Sequence, residues 1–161
     1  MPKLLRLTTL LFFVSGLVGC DHVTKHVAKS ELEGQRGVTL VSGLFKLVYT
    51  ENYDIGFNLL RWMPDPPRGP LLLATGILTS LILLAMLLWR RAESRWHVIA
   101  LALLLAGGVG NTLDRVLRGY VIDFLHLRHW PVFNLADVYV VAGMIALLAF
   151  GRPRAGVETP S

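Results

Sequence analysis

The run from Pro70 to Trp89 carries no charged side chain. As a helix rising about 1.5 Å per residue it is long enough to cross the ~30 Å hydrocarbon core of a bilayer. A soluble globule of 161 residues has no place for such a segment, so this feature constrains the rest of the chain. Three more apolar runs flank it, at Leu4–Val18, His97–Val109 and Val138–Phe150. Each reaches spanning length only by taking in a polar residue at one end: Asp21, Asn111 or Asn134. Lipid offers such groups no partner, so they are expected to face the bundle interior or a cavity. The hydrophobic fraction of 53% against 17% charged agrees with a membrane protein.

The net charge of +5 raises nucleic acid as a partner. However, the basic residues sit mainly at the ends of apolar runs, as the positive-inside rule places them, and not on an aromatic-laced face. Lys3 and Arg6 precede the first span, Arg90, Arg91 and Arg95 join the second and third, and Arg152 and Arg154 follow the fourth. With four spans both termini lie in the cytoplasm. Ser30–Gly69 and Arg115–Pro131 then form outer loops. In the longer loop, Val38–Tyr49 reads as β-branched and aromatic strands broken at Ser42-Gly43. The expected fold is an all-α membrane protein, four transmembrane helices with a small antiparallel β-sheet in the outer loop. Its spans are expected at about 4–22, 70–89, 97–113 and 134–150, and its β region at about 38–60. A single membrane domain of residues 1–151 is expected, followed by a disordered cytoplasmic tail, 152–161.

The single cysteine, Cys20, excludes an intrachain disulfide. Leu17-Val18-Gly19-Cys20 after a basic start resembles a lipobox, and is read here as a chance feature of a retained first span. His22/His26 and His126/His129 are closely spaced, but no Glu stands between either pair in a zinc-protease pattern, so no metal and no cofactor is implied. Trp62, Trp89, Trp96 and Trp130 are read as interface anchors, and Gly107-Gly108 with Gly110 as sites of close helix packing.

The remaining polar residues cluster at the outer ends of the spans. Asp21 and Lys25 are one helical turn apart and read as a helix-end pair. Asp123 lies between Ile122 and Phe124, and Asp137 between Ala136 and Val138. Carboxylates in such apolar company are costly unless paired or functional. Two facing one cleft cannot both ionise cheaply, so they share a proton. One can then take a proton from water while the other protonates the leaving side, which is peptide hydrolysis without metal or covalent intermediate. Asn111 and Asn134 can hydrogen-bond the carboxylates or a substrate backbone. Arg115 can bind a carbonyl or pair with Asp114. The bland alternative makes Asp123 and Asp137 structural partners of Arg115, Arg118 or Arg128. A transporter would keep its acids near the bilayer midplane on broken helices, whereas these lie at span ends.

In order, Asp21-x-x-Thr24-Lys25, Gly110-Asn111-x-x-Asp114-Arg115, Val121-x-Asp123-Phe124 and Phe133-Asn134-x-Ala136-Asp137 resemble the blocks of lipoprotein signal peptidase, or signal peptidase II. The resemblance covers nearly the whole chain. It implies a monomeric aspartic endopeptidase of the bacterial inner membrane, its site near the periplasmic face. Its implied substrates are prolipoproteins whose lipobox cysteine carries a diacylglyceryl group, cut before that cysteine, with membrane lipid as the other partner. The family's catalytic aspartates fall on Asp123 and Asp137. Its site-lining positions fall on Asn52, Asn111, Arg115 and Asn134, and its first block on Asp21 and Lys25. The outer-loop block departs from the family's Asn-x-Gly-x-Ala-Phe: Asn52 and Phe57 remain, but Asp54 replaces the glycine and Gly56 the alanine. The added charge of Asp54 is expected to raise the upper pKa of the pair.

Overall fold

The computed structural model describes residues 3–54, 65–89 and 94–150. Four helices and three strands follow in the order α1 (Lys3–Leu32), β1 (Val38–Val41), β2 (Phe45–Asn52), α2 (Asp65–Trp89), α3 (Arg95–Arg118), β3 (Val121–Leu127) and α4 (Leu135–Phe150). Phe57 and its neighbours in the outer-loop block, Trp62, Arg90, Arg91 and the tail after Phe150 lie outside the described residues.

Among the described residues, three helical segments are long and apolar enough to cross a membrane: Leu7–Leu32, Gly69–Trp89 and Arg95–Arg118. α4 is apolar but shorter, at 16 residues. Large side chains such as Phe12, Leu78, Leu81, Ile145 and Leu148 stand exposed on the helix surfaces, where lipid rather than water would meet them. The core is thin and lies between helices: Leu87, Leu101 and Leu105 form one cluster, and Ala28, Leu32 and Phe124 another beneath the sheet. Residues of small volume make the close helix approaches. A Cβ at Gly143 would lie 2.8 Å from the Ala100 carbonyl oxygen. At Gly107 it would meet the Ala136 carbonyl oxygen and stand 2.7 Å from Val140 Cγ2, so glycine there lets α3 and α4 touch backbone to backbone.

Two expectations are corrected. Asp21 and Lys25 are not a helix-end pair: the first helix continues unbroken through Cys20 to Leu32. Asp21, Lys25, Ala28 and Leu32 recur at helical spacing and are all buried, so the polar pair belongs to the packed face of α1 and not to its end. Likewise, Arg115–Pro131 is not simply a loop. α3 runs on to Arg118, and Gly119, at φ 81°, supplies the left-handed turn that ends it and donates to the Arg115 carbonyl. The chain then enters β3, which pairs antiparallel with β2. The sheet therefore has three strands, in the order β1-β2-β3. Val121, Ile122, Asp123 and Phe124 are all buried, so this strand is covered on both faces.

Candidate active site

Asp123 is delivered by the sheet. It pairs in register with Thr50, and Asn52 stands diagonally across on the same face. Asn52 Nδ2 donates to Asp123 Oδ2 at 2.8 Å, and Asn134 Nδ2 donates to Oδ1 at 2.6 Å. The Asp123 carboxyl is 2% exposed. Burial, and then the charge of Asp137, push its pKa from 3.8 up to about 6, against the pull of the two asparagine donors.

Asp137 is delivered by a helix start. Asn134 Oδ1 accepts the Asp137 N–H at 3.0 Å, and Asp137 Oδ2 accepts the Asn134 N–H at 3.1 Å. This reciprocal pair is a capping box with an aspartate in the third helical position. It fixes the Asp137 carboxylate in the first turn of α4, where the helix dipole favours negative charge. The other oxygen, Oδ1, accepts from Asn111 Nδ2 at 2.8 Å.

Behind this pair lies a second polar layer. Lys25 Nζ reaches Asp21 Oδ2 at 2.7 Å, Asp114 Oδ2 at 2.8 Å and Asn111 Oδ1 at 3.0 Å. Asp21 Oδ1 accepts the N–H of Ala136, one of the otherwise orphaned donors at the start of α4. Asp114 also pairs with Arg118 one turn on, and His22 Nδ1 lies 3.7 Å from it. The sequence reading offered Arg115 as the partner of Asp114, but adjacent residues on a helix do not face each other. Arg115 instead donates to the Asn111 carbonyl at 3.2 Å and to the Asp54 carbonyl at 2.8 Å, tying the end of β2 to α3. Asp123 and Asp137 nonetheless lie within its electrostatic reach. Asn52 caps the turn that follows β2, its Oδ1 accepting the Asp54 N–H at 2.9 Å, and Asp54 is buried beside Arg115.

Both aspartates line one cavity of ≈ 830 Å³, together with Asn52, Asn111, Arg115 and Asn134. Asp21, Lys25 and Asp114 do not line it. The sequence reading missed the α2 wall, made by Leu72, Thr75, Gly76 and Thr79. Its signal was available: Thr75, Gly76, Thr79 and Ser80 form a small-residue stripe at helical spacing in an otherwise aliphatic span. It also missed a network around Glu51, which accepts from Tyr49 at 3.0 Å and Tyr53 at 2.7 Å, while Lys29 donates to Tyr120 at 3.2 Å. Those phenols hold Glu51 below its usual range.

Residues 13–151 match the family model described as signal peptidase II. A lipoprotein signal peptidase of Pelodictyon phaeoclathratiforme is 32% identical, covering 94% of this chain and 95% of its own. One of Microcystis aeruginosa is 36% identical, covering 85% and 88%. A solved bacterial membrane enzyme superposes with a TM-score of 0.79 at 22% identity, over 92% of this chain and 95% of its own, and so shares the fold. Taken with the match of residues 13–151 to the family model, these likenesses mean that the chain belongs to the signal peptidase II family and is a membrane protease.

Proposed function

We propose that this protein is an aspartic endopeptidase that removes signal peptides from diacylglyceryl-modified prolipoproteins, cutting before the modified cysteine. The observation that carries the reading is the pair of carboxyls facing one cavity, each gripped by asparagine donors, with Asp123 raised to about 6. Asp123 is the proton holder and Asp137 the carboxylate. Water in the cavity gives a proton to Asp137 as its oxygen attacks the scissile carbonyl carbon, and Asp123 passes its proton to the carbonyl oxygen. The diol intermediate then collapses. Asp137 protonates the departing nitrogen, Asp123 recovers its proton from the diol, and the products are a carboxylic acid, which then ionises to solvent, and the amine of the modified cysteine.

The predominantly apolar lining of the cavity, with Leu72, Val121, Val132, Phe133 and Val140 among its walls, suits a signal-peptide segment arriving from the bilayer. The same reading makes α4 a fourth span. It sets both termini in the cytoplasm, the cavity near the periplasmic face of the inner membrane, residues 1–151 as one peptidase domain of a monomer, and 152–161 as a tail. Asn52, Asn111, Arg115 and Asn134 shape or bind at the site; Asp21, Lys25 and Asp114 support it from behind.

The test is cleavage of a diacylglyceryl-modified prolipoprotein by purified protein in detergent. Asp123→Asn and Asp137→Asn should each lose at least about a thousandfold in kcat while remaining folded, since each removes one arm of the acid–base chemistry. Cleavage surviving either change would remove the dyad assignment. Binding without cleavage by wild type would leave a receptor for signal peptides instead.

A further inference from the structure

Lys25 lies outside the cavity, yet it decides which way the asparagines around the dyad face. An ammonium group has three N–H donors and no acceptor. Lys25 is 0% exposed; it donates to Asp21 Oδ2 and Asn111 Oδ1, and Asp114 Oδ2 stands 2.8 Å away as an ion-pair partner. The Asn111 amide must therefore turn its oxygen toward Lys25. Its nitrogen then points the other way and donates to Asp137 Oδ1. The same oxygen accepts one N–H of Asn134 at 3.1 Å, which leaves the other Asn134 N–H for Asp123. Rotating Asn111 by half a turn would set N–H against ammonium and oxygen against carboxylate, two repulsive contacts in place of two charge-assisted bonds.

We infer that Lys25 is a positioning residue for catalysis, fixing the donor sense of the chain Asn111–Asn134 so that both aspartates face N–H groups. This rests on the dyad reading above. Asp21 adds to the device, since it neutralises Lys25 with one oxygen and holds the Ala136 N–H with the other, tying α1 to the turn that carries Asp137. The polar cluster on α1 thus has a role beyond helix packing: it sets amide orientation two residues away from the nearest reacting group.

The experiment is steady-state cleavage of the modified prolipoprotein by Lys25→Met, and by Lys25→Met/Asp114→Asn, which removes the surplus buried negative charge. Folding is followed by thermal melting in detergent. In whichever variant folds, kcat should fall at least about tenfold, the worth of one charge-assisted bond, with KM within about threefold. A folded variant with wild-type kcat, or a loss confined to KM, overturns the inference. Failure of both to fold also overturns it, by making Lys25 a residue of stability. Asp123→Asn and Asp137→Asn run alongside separate the two ideas. Cleavage surviving those changes removes the dyad itself, whereas dead dyad variants beside a fully active Lys25→Met remove only the positioning role.

Discussion

Asp123 and Asp137 are held by different devices, and in the proposed dyad the difference assigns their roles. Asp137 is held in the first turn of a helix by a capping box with Asn134. Asp123 sits in a strand buried on both faces, which favours the acid, and the donors from Asn52 and Asn134 only partly offset that. The sign for a variant follows. Asn52 donates to the charged form, so its loss raises the Asp123 pKa further. Since catalysis needs Asp123 protonated, the alkaline limb of kcat/KM should have its midpoint at about 6 in the wild type and move to higher pH in Asn52→Ala. A pH–rate profile checks this, and a limb that stays or moves down would sink the role given to Asn52. Both aspartates were legible as candidate site residues because an acid between Ile122 and Phe124, or at the start of an apolar run, is costly unless paired or functional. The expected influence of Asp54 on the pair remains a proposal: its N–H is turned to Asn52 and its carbonyl to Arg115. The mutual orientation of the asparagines was not legible, because it depends on Lys25, 86 residues from Asn111.

At the scale of elements, the site depends on how closely α3 and α4 approach. Gly107 faces the Ala136 carbonyl and Val140, the turn next to Asp137. Gly143 faces the Ala100 carbonyl and Leu104, more than a turn farther along α4. An added methyl at either meets backbone that cannot rotate away, at a cost of about 1–3 kcal/mol. Gly107→Ala and Gly143→Ala should therefore both melt at lower temperature. Only Gly107→Ala should also lose about tenfold or more in kcat, because only there must the turn holding Asp137 shift. Equal effects on kcat would mean that the two contacts act on the site alike. The tight packing was readable from the glycines themselves. The reach of α1 to Leu32 was readable too, from the spacing of Asp21, Lys25, Ala28 and Leu32, but charged side chains on that stripe disguised it as a helix end. β3 was hidden for a different reason. Val121–Leu127 is seven residues long and finds its partner in β2, from Asn52 opposite Val121 to Phe45 opposite Leu127, and no local pattern encodes a pairing that distant.

For the whole molecule, the question is where the sheet and helices lie relative to a bilayer. α4 spans about 24 Å by its length, short of the ~30 Å core. Its capping residue, Asn134, is fully buried and lies one residue beyond Phe133, itself bridged to Leu125 at the sheet edge. A span that begins beneath a sheet can be short, because the sheet and not lipid covers its first turn. That arrangement is also how an acid at the start of a span can be wet on one side and shielded on the other. Below that turn, Val138, Val141, Met144, Ile145 and Leu148 form an exposed apolar face that only lipid or another apolar surface can cover. The proposed topology then orders three accessibilities. In a Cys20→Ser background, a membrane-impermeant maleimide should label Ser42→Cys in the β1–β2 turn once the outer membrane is permeabilised. It should reach Arg95→Cys, at the start of α3, only after the inner membrane is broken, and should leave Leu148→Cys unlabelled in both. Labelling of Ser42→Cys and Arg95→Cys from the same side would put an even number of crossings between them, contrary to a single span through α2, and the four-span reading would fall with it. The α1 charge cluster, the sheet and the α4 start must share one side of the membrane for the site to exist at all. The labelling pattern therefore tests the architecture on which every residue-level argument above depends.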